Sequence, residues 1–485
     1  MPPSGRKRRD RGVQFIRSNL ELLGFGSRRD ALVQAVKELF ENALDATQSL
    51  GDCDVVWADA PLELLRVRVA LNKERETIDI VCADTGSGMR AHQVKLLCCS
   101  AFETTKVDRE GHGGRTSGKY GLGLKAAMLY SQLHASDACL KVATTSQSDG
   151  ILYVQLRIDA DSEETAVVKQ VMQFVVNEEH QHFSGTEVRL SVPCPEQMMD
   201  LQSAAETLAM YFQSLRYTAP PFLGVQFDFS VGEVSRSITC EHREEPIDRF
   251  AADVGASADD VVYAVHDWES VSISCVALML GDVQVGGTEP DMEISLLRFA
   301  NHAPLINGED FFLCGITKGV CTAKLWKKFG LRCQRNSSKL ANQLIATPLR
   351  ATMQREDADK SRSNRLVVAV DICIADTAVG EGIKYGSLRK STLDACYADG
   401  VRTCCQSILQ QLADDGRLCS PQQRQDHDLV ENLAPLIAKS LTTIATQFNV
   451  QQSVDKASSQ LERDWQGQCN EGLILQELRS ALQNR

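Results

Sequence analysis

The alternation of apolar and polar positions divides the chain into two regular stretches with an irregular one between them. Residues 13–25, VQFIRSNLELLGF, form a short amphipathic segment. Ser27 is placed to cap a helix whose first turn carries Asp30, and ALVQAVKELFENALDAT repeats Leu32, Val36, Leu39 and Ala43 at helical spacing. LLRVRVAL then alternates as a half-buried strand, NKERE reads as a turn, and TIDIVCAD as a second strand. Residues 98–118 are rich in Gly, Thr and charge and too long for a simple connection, a pattern of functional lids or disorder. A Gly-rich turn opens the helix KAAMLYSQL. The strand-like runs CLKVATT, ILYVQLRID, VVKQVMQFVV and GTEVRLSV follow, and a helix over about 198–215 closes an α+β layer sandwich. Residues 218–262 read as irregular and include the acidic EHREEPIDRF. A second, α/β unit runs over about 270–415, with strands SISCVALML and RLVVAVDICIA and a basic stretch, 324–335, between them. The Gln-rich residues after it are mainly helical in pattern.

At 485 residues the chain has room for two to four domains, and its 43% hydrophobic and 24% charged content is that of a globular protein. A net charge of −12 means that any DNA contact must come from local basic patches. One such patch, Arg6, Lys7, Arg8, Arg9 and Arg11, reads either as a solvated tail or as a nuclear-localisation or DNA-touching arm. No apolar run reaches membrane-spanning length, and the N-terminus leads into no apolar signal core. The 17 cysteines form no CxxC pair and read as reduced core thiols. His180 and His182 have no further ligand nearby to make a zinc site.

Four groups of residues carry candidate chemistry. Glu38, Asn42 and Asp45 share one helix face by their offsets of four and three. A carboxylate and an amide so spaced can hold Mg²⁺ and orient water, although an ordinary solvated helix face looks the same. Asp84, Thr85, Gly86, Ser87, Gly88 and Met89 end a strand. There an acidic side chain can accept from an exocyclic amine and glycines let the backbone close on a flat ring; a plain Asp-Gly turn is the alternative. Gly118, Lys119, Tyr120, Gly121, Leu122 and Gly123, then Leu124 and Lys125, place glycines before a helix start, where exposed N–H groups and the helix dipole favour phosphate. This GxxGxG is neither a dinucleotide fingerprint nor a Walker A loop. Gly185-Thr186 opens a strand and says little by itself.

Taken in order, the helix ExxxN, the strand-end DxGxGM, a long lid, GxxGxG and GT resemble the N, G1, G2 and GT boxes of the GHKL ATPases, which share the Bergerat fold. The resemblance implies that ATP and Mg²⁺ are the cofactors, with Glu38 as the general base and Asn42 as the metal ligand. It also implies that Asp84 reads the adenine amine and that Gly118 to Gly123, with Lys125 close by, cradle phosphates.

Outside the boxes, RSNLELLGF, MLYSQL, RFANHAPLI over 298–306 and Gly315-Ile316-Thr317-Lys318 resemble the ATPase subunits of the DNA topoisomerase VI family. The run from Leu325 to Leu331, the strand LVVAVDICIA and the helix-like STLDACYADGVRTCCQSILQQL continue the likeness. It implies that Lys318 is a transducer-domain lysine that reaches the ATP γ-phosphate. The expected organisation is a basic arm (1–12), a GHKL ATPase domain (13–217), a short linker (218–262) in place of a helix–two-turn–helix domain, a transducer domain (263–415) and a helical region (416–485). The missing domain moves the likeness toward the meiotic topoisomerase VI B-like branch. The implied function is a nuclear, ATP-gated, self-dimerising subunit on double-stranded DNA, serving a topoisomerase VI A-type or meiotic DNA-cleaving transesterase. The competing expectations are a non-hydrolysing scaffold, a chaperone or mismatch-repair ATPase, and a histidine kinase. The last would need a phosphoacceptor hairpin, and fewer than 30 residues precede the first helix. The apolar stripe Leu393, Ala395, Cys396, Val401, Cys404, Ile408 and Leu409 is the expected partner-binding face.

Overall fold

The computed structural model describes residues 13–48, 63–86, 88–91, 93–94, 122–135, 137–145, 150–158, 165–173, 185–219, 223–242, 248–249, 251, 260–268, 271–280, 292–305, 325, 328–329, 331–332, 365–374, 383–385, 390, 393–418, 422, 432–444 and 475–476. The chain divides into two compact units. The first is Met1–Asp282, Met292–Ala323 and Cys333–Ile408; the second is Val283–Asp291, Lys324–Arg332 and Leu409–Arg485.

Ser27 does cap the first long helix, α1 (Arg28–Gln48): its Oγ accepts from the Asp30 N–H at 3.0 Å. Leu32, Val36, Leu39, Phe40, Ala43 and Leu44 of α1 are buried. Strands β1 (Glu63–Asn72) and β2 (Thr77–Asp84) pair antiparallel. Leu65, Val67 and Val69 on β1, and Ile78, Ile80 and Cys82 on β2, face the core. The same period of two carries Asp84, the last residue of β2, to the buried side. There follow α2 (Gly123–His134), β3 (Leu140–Thr145), β4 (Ile151–Ile158), β5 (Thr165–Gln173), β6 (Gly185–Pro193) and α3 (Met198–Ser214), each where the sequence pattern puts it.

The expected linker is not one. Residues 218–262 hold β7 (Leu223–Val231) and β8 (Val234–His242), a hairpin that extends the first sheet. The sheet order is β5–β4–β3–β6–β2–β1–β7–β8, with β7 parallel to β1 and the other neighbours antiparallel. LGVQFDFSV explains it: Leu223, Val225, Phe227, Phe229 and Val231 alternate into the core, and Gly232 turns the chain at φ 61°. Helix α1 packs on β1, β2 and β6, α2 on β4 and β6, and α3 on β7 and β8. Phe40 meets Phe212 edge-on at 4.9 Å, and Phe212 stacks on Phe227 at 4.3 Å. The hairpin is therefore part of the same core as α1 and α3.

The second sheet is made of β9 (Val262–Trp268), β10 (Val271–Leu280), β11 (Met292–Ala300), β12 (Ala303–Pro304) and, after a short β13 (Leu331–Arg332), β14 (Arg365–Ile374). It runs β12–β11–β14–β10–β9, with β11 parallel to β14. Tyr217, in the 3₁₀ turn Leu215–Tyr217 after α3, enters its core beside Leu278, Leu297, Phe299, Val367 and Ala369. Thr218 Oγ1 donates to the His302 carbonyl at 2.9 Å.

Helix α4 (Ala398–Asp414) corrects the expected partner face. Val401, Cys404, Ile408 and Leu409 are buried within the chain. A Cβ on Gly400 would lie 2.5 Å from Ile273 Cδ1, and Cys404 Sγ donates to the Ile273 carbonyl, so α4 lies against β10. In the second unit, helical residues 432–444 bury Ala434 and Ala438 and leave Leu433, Leu436, Ile437, Leu441 and Ile444 exposed. The described cysteines form no disulfide, and Cys82, Cys275, Cys373, Cys404 and Cys405 are buried. Among the described residues no helix is long and apolar enough to cross a membrane.

Phe212→Ala empties the contact that joins α1, α3 and β7. It should cost about 3–5 kcal/mol in chemical denaturation; a cost under about 1 kcal/mol would show that the hairpin is not part of this core.

Candidate functional site

Along α1, Glu38 is buried, Asn42 exposed and Asp45 half-buried. Gln34, one turn earlier, donates from Nε2 to Glu38 Oε1 at 2.9 Å. The start of α2 meets the same carboxylate: a Cβ on Gly123 would lie 1.8 Å from Glu38 Oε2. Only glycine lets the helix N-terminus come this close, with its positive dipole end at the site.

At the end of β2, Asp84 Oδ1 accepts from the Gly86 N–H at 2.9 Å and the Thr186 N–H at 3.2 Å. The cross-strand register Asp84↔Thr186 sets the second contact. Gly88 has φ 66°, and a Cβ there would lie 1.7 Å from the Thr145 carbonyl; Gly185 has φ 135°, and a Cβ there would lie 2.0 Å from the Asp84 carbonyl. Thr144 Oγ1 ties the turn down. It accepts from the Met89 N–H at 2.8 Å and pairs with Thr186 Oγ1 at 2.9 Å. Asp84, Gly86, Gly88, Met89 and Thr186 are thus one construction, a carboxylate fixed in orientation at the rim of the sheet. Burial, and then the charges of Asp84 and Glu187, push the Cys82 thiol far up, so it stays protonated.

Leu122 and Gly123 stand at the head of α2, and Lys125 is buried within it. Gly118, Lys119, Tyr120, Gly121 and Lys318 lie outside the described residues. The arm 1–12 and most of the basic stretch 324–335 lie outside them as well.

Local sequence patterns give no sign of one further residue of this site. Lys390 Nζ lies 3.1 Å from Glu38 Oε2 and 3.0 Å from Glu41 Oε2. Burial pulls the ammonium down, but Glu38 and then Glu41 outweigh it and hold Lys390 above the ordinary lysine value. Lys390 is 352 residues from Glu38. No helical or strand period links such positions, and SLRKSTL has no motif that marks its lysine.

Away from this site, His302 Nδ1, the Asp371 carboxylate and Cys373 Sγ lie within 4.8 Å of one another. His302 Nδ1 lies 2.7 Å from one Asp371 oxygen, and the His302 backbone N–H donates to the other at 3.3 Å. The contact joins Asp371 of β14 to the turn that leads into β12.

Residues 31–186 match the family model of the histidine kinase-, DNA gyrase B-, and HSP90-like ATPases. That segment is similar to the ATPase domains of this family. The matched span takes in α1, Asp84 and Thr186 together. Among curated proteins, the chain is 32% identical over 183 residues to the B-type subunit of type 2 DNA topoisomerase 6 from Saccharolobus solfataricus, covering 37% of this chain and 31% of that protein. The corresponding protein of Saccharolobus islandicus matches equally, at 32% over the same shares. The chain thus spans about a third of the length of these relatives. Among solved structures, the topoisomerase IV ATP-binding domain of Francisella tularensis aligns over 79% of this chain and 86% of that one, at 11% identity and a TM-score of 0.39. The ATPase region of Saccharomyces cerevisiae topoisomerase II aligns over 78% and 84%, at 10% identity and a TM-score of 0.38.

Proposed function

We propose that this chain is the ATP-gated, self-dimerising subunit of a complex whose other subunit cleaves double-stranded DNA by transesterification. The observation that carries the reading is the meeting of Glu38, on the ATPase helix, with Lys390, from the chain beyond β14. A cation that reaches an ATPase site from a second sheet can report the state of that site to the rest of the molecule. The similarity to the B-type subunits of topoisomerase 6 supplies the class of partner.

The residues present suit ATP with Mg²⁺. Asn42 offers an exposed amide oxygen, a hard donor of the kind Mg²⁺ takes. Asp84 is aimed and fixed by two backbone N–H groups, ready to accept from an exocyclic amine. The head of α2 at Gly123 offers backbone N–H groups to phosphate. Bound Mg²⁺ would neutralise phosphate charge. Glu38 would take the proton of the attacking water, with Gln34 holding one of its oxygens. Lys390 stands as a second candidate switch cation beside the Lys318 that the resemblance implies. The basic residues Arg6 to Arg11 support a nuclear location.

Within this class the meiotic-like branch is favoured. Residues 223–242 form a hairpin built into the ATPase core, which leaves little chain there for a separate DNA-holding domain. Glu241 at its end and Asp248 after it repel phosphate. A second reading, a non-hydrolysing scaffold, rests on one observation: the Glu38 carboxylate is already paired.

Glu38→Ala should keep ATP binding and lower hydrolysis by about 10²–10⁴-fold. Wild-type protein that binds ATP without turning it over would favour the scaffold. With its cleaving partner, the chain should promote breakage more than supercoil relaxation; processive ATP-dependent relaxation would restore the ordinary topoisomerase reading.

A further inference from the structure

We propose that Glu41 is a positioning residue for this site: it holds the Lys390 ammonium against α1, and so keeps Glu38 paired until a polyphosphate draws the lysine away. The inference rests on the ATPase reading of Glu38 and adds to it the device that keeps the empty site at rest.

Glu41 stands three residues after Glu38, so both side chains leave the same face of α1 and reach one ammonium. Both carboxylates are buried, at 5% and 6% exposure. Two buried carboxylates this close are costly unless a cation sits between them. Lys390 is that cation, and its raised affinity for the proton keeps it charged at neutral pH.

The second oxygen of Glu41 is also engaged. Tyr211 OH donates to Glu41 Oε1 at 3.4 Å. Tyr211 is completely buried, its ring edge-on to Phe40 at 5.9 Å and to Phe212 at 5.4 Å, with Lys37 Nζ 5.5 Å from the ring centre. Burial first, then the charge of Glu41, hold both the Tyr211 and Tyr385 hydroxyls well above the ordinary phenol value, so both remain neutral. Glu41 is therefore anchored to the aromatic core, whereas Glu38 faces Gln34 and the glycine head of α2.

The described residues on either side of Lys390 are paired with one another. Tyr385 pairs with Leu393, Lys384 N donates to Tyr397 OH at 2.8 Å, and Asp394 N donates to the Lys384 carbonyl at 3.1 Å. Lys390 itself has φ 53°, a left-handed conformation that a non-glycine residue keeps only when its surroundings fix it.

The roles of the two glutamates follow from charge. Glu41 opposes the departure of the lysine. Once the lysine has left, the Glu41 charge makes Glu38 a stronger proton acceptor. Glu41→Gln weakens both effects, so it should tighten ATP binding severalfold while slowing turnover severalfold. A merely structural role would move both in the same direction, toward loss.

The test pairs that measurement with one that needs no nucleotide. In the full chain, Lys390→Met leaves Glu38 and Glu41 facing each other and should lower the thermal unfolding midpoint. Glu41→Gln added to Lys390→Met should raise the midpoint again, because it removes the repulsion. Losses that simply add, or Glu41→Gln weakening ATP binding and turnover together, would overturn the proposal. The two readings fail separately: additive losses beside intact ATP binding remove the latch alone, and a wild-type chain that binds no ATP removes the ATPase reading while the cycle still reports the ion cluster.

Discussion

A single buried ammonium, that of Lys390 between Glu38 and Glu41, joins the two sheets' chemistry. Without it, α1 would hold two buried carboxylates beside each other, one of them against the glycine head of α2, an arrangement that burial makes expensive. With it, the helix that carries Glu38 is tied to Lys390, in the chain after β14. Breaking a buried pair by removing one partner is far more costly than losing a surface ion pair, so this contact has the energy to bias a conformational equilibrium.

Most of the first sheet was legible because its strands obey a period of two and its helices begin and end on recognisable residues. The Ser27 cap, the alternation of β1 and β2 and the bounds of α3 all follow from local rules. The β7–β8 hairpin obeys the same period, with Gly232 at its turn, yet it reads as a linker when only the acidic segment after it is weighed. The second sheet was harder. β10 and β14 are mostly apolar, whereas Tyr263 and Val265 on β9 are exposed, so that strand carries a weaker signal. The stripe on α4 shows the converse limit: amphipathicity predicts that a face is buried but not against what.

The site divides along the same line. Glu38, Asn42, Asp84 and Thr186 sit at the ends or on the faces of regular elements, and periodicity alone fixes where their side chains point. The close approaches at Gly88, Gly123 and Gly185 explain why glycine stands there, which a sequence pattern can suggest but not demonstrate. Lys390 was invisible because its partners are set by tertiary packing alone. A loop lysine has no period, and Glu41 reads as one more charge on a helix until the loop is placed over it.

On the proposed function, nucleotide binding moves the Lys390 cation and thereby closes the molecule. Light scattering of the purified chain, with and without a non-hydrolysable ATP analogue and Mg²⁺, tests it most directly. The account predicts that wild-type protein goes from monomer to dimer on adding the analogue, and that Lys390→Ala binds the analogue but stays monomeric. Equal analogue-driven dimerisation of wild type and Lys390→Ala would contradict it.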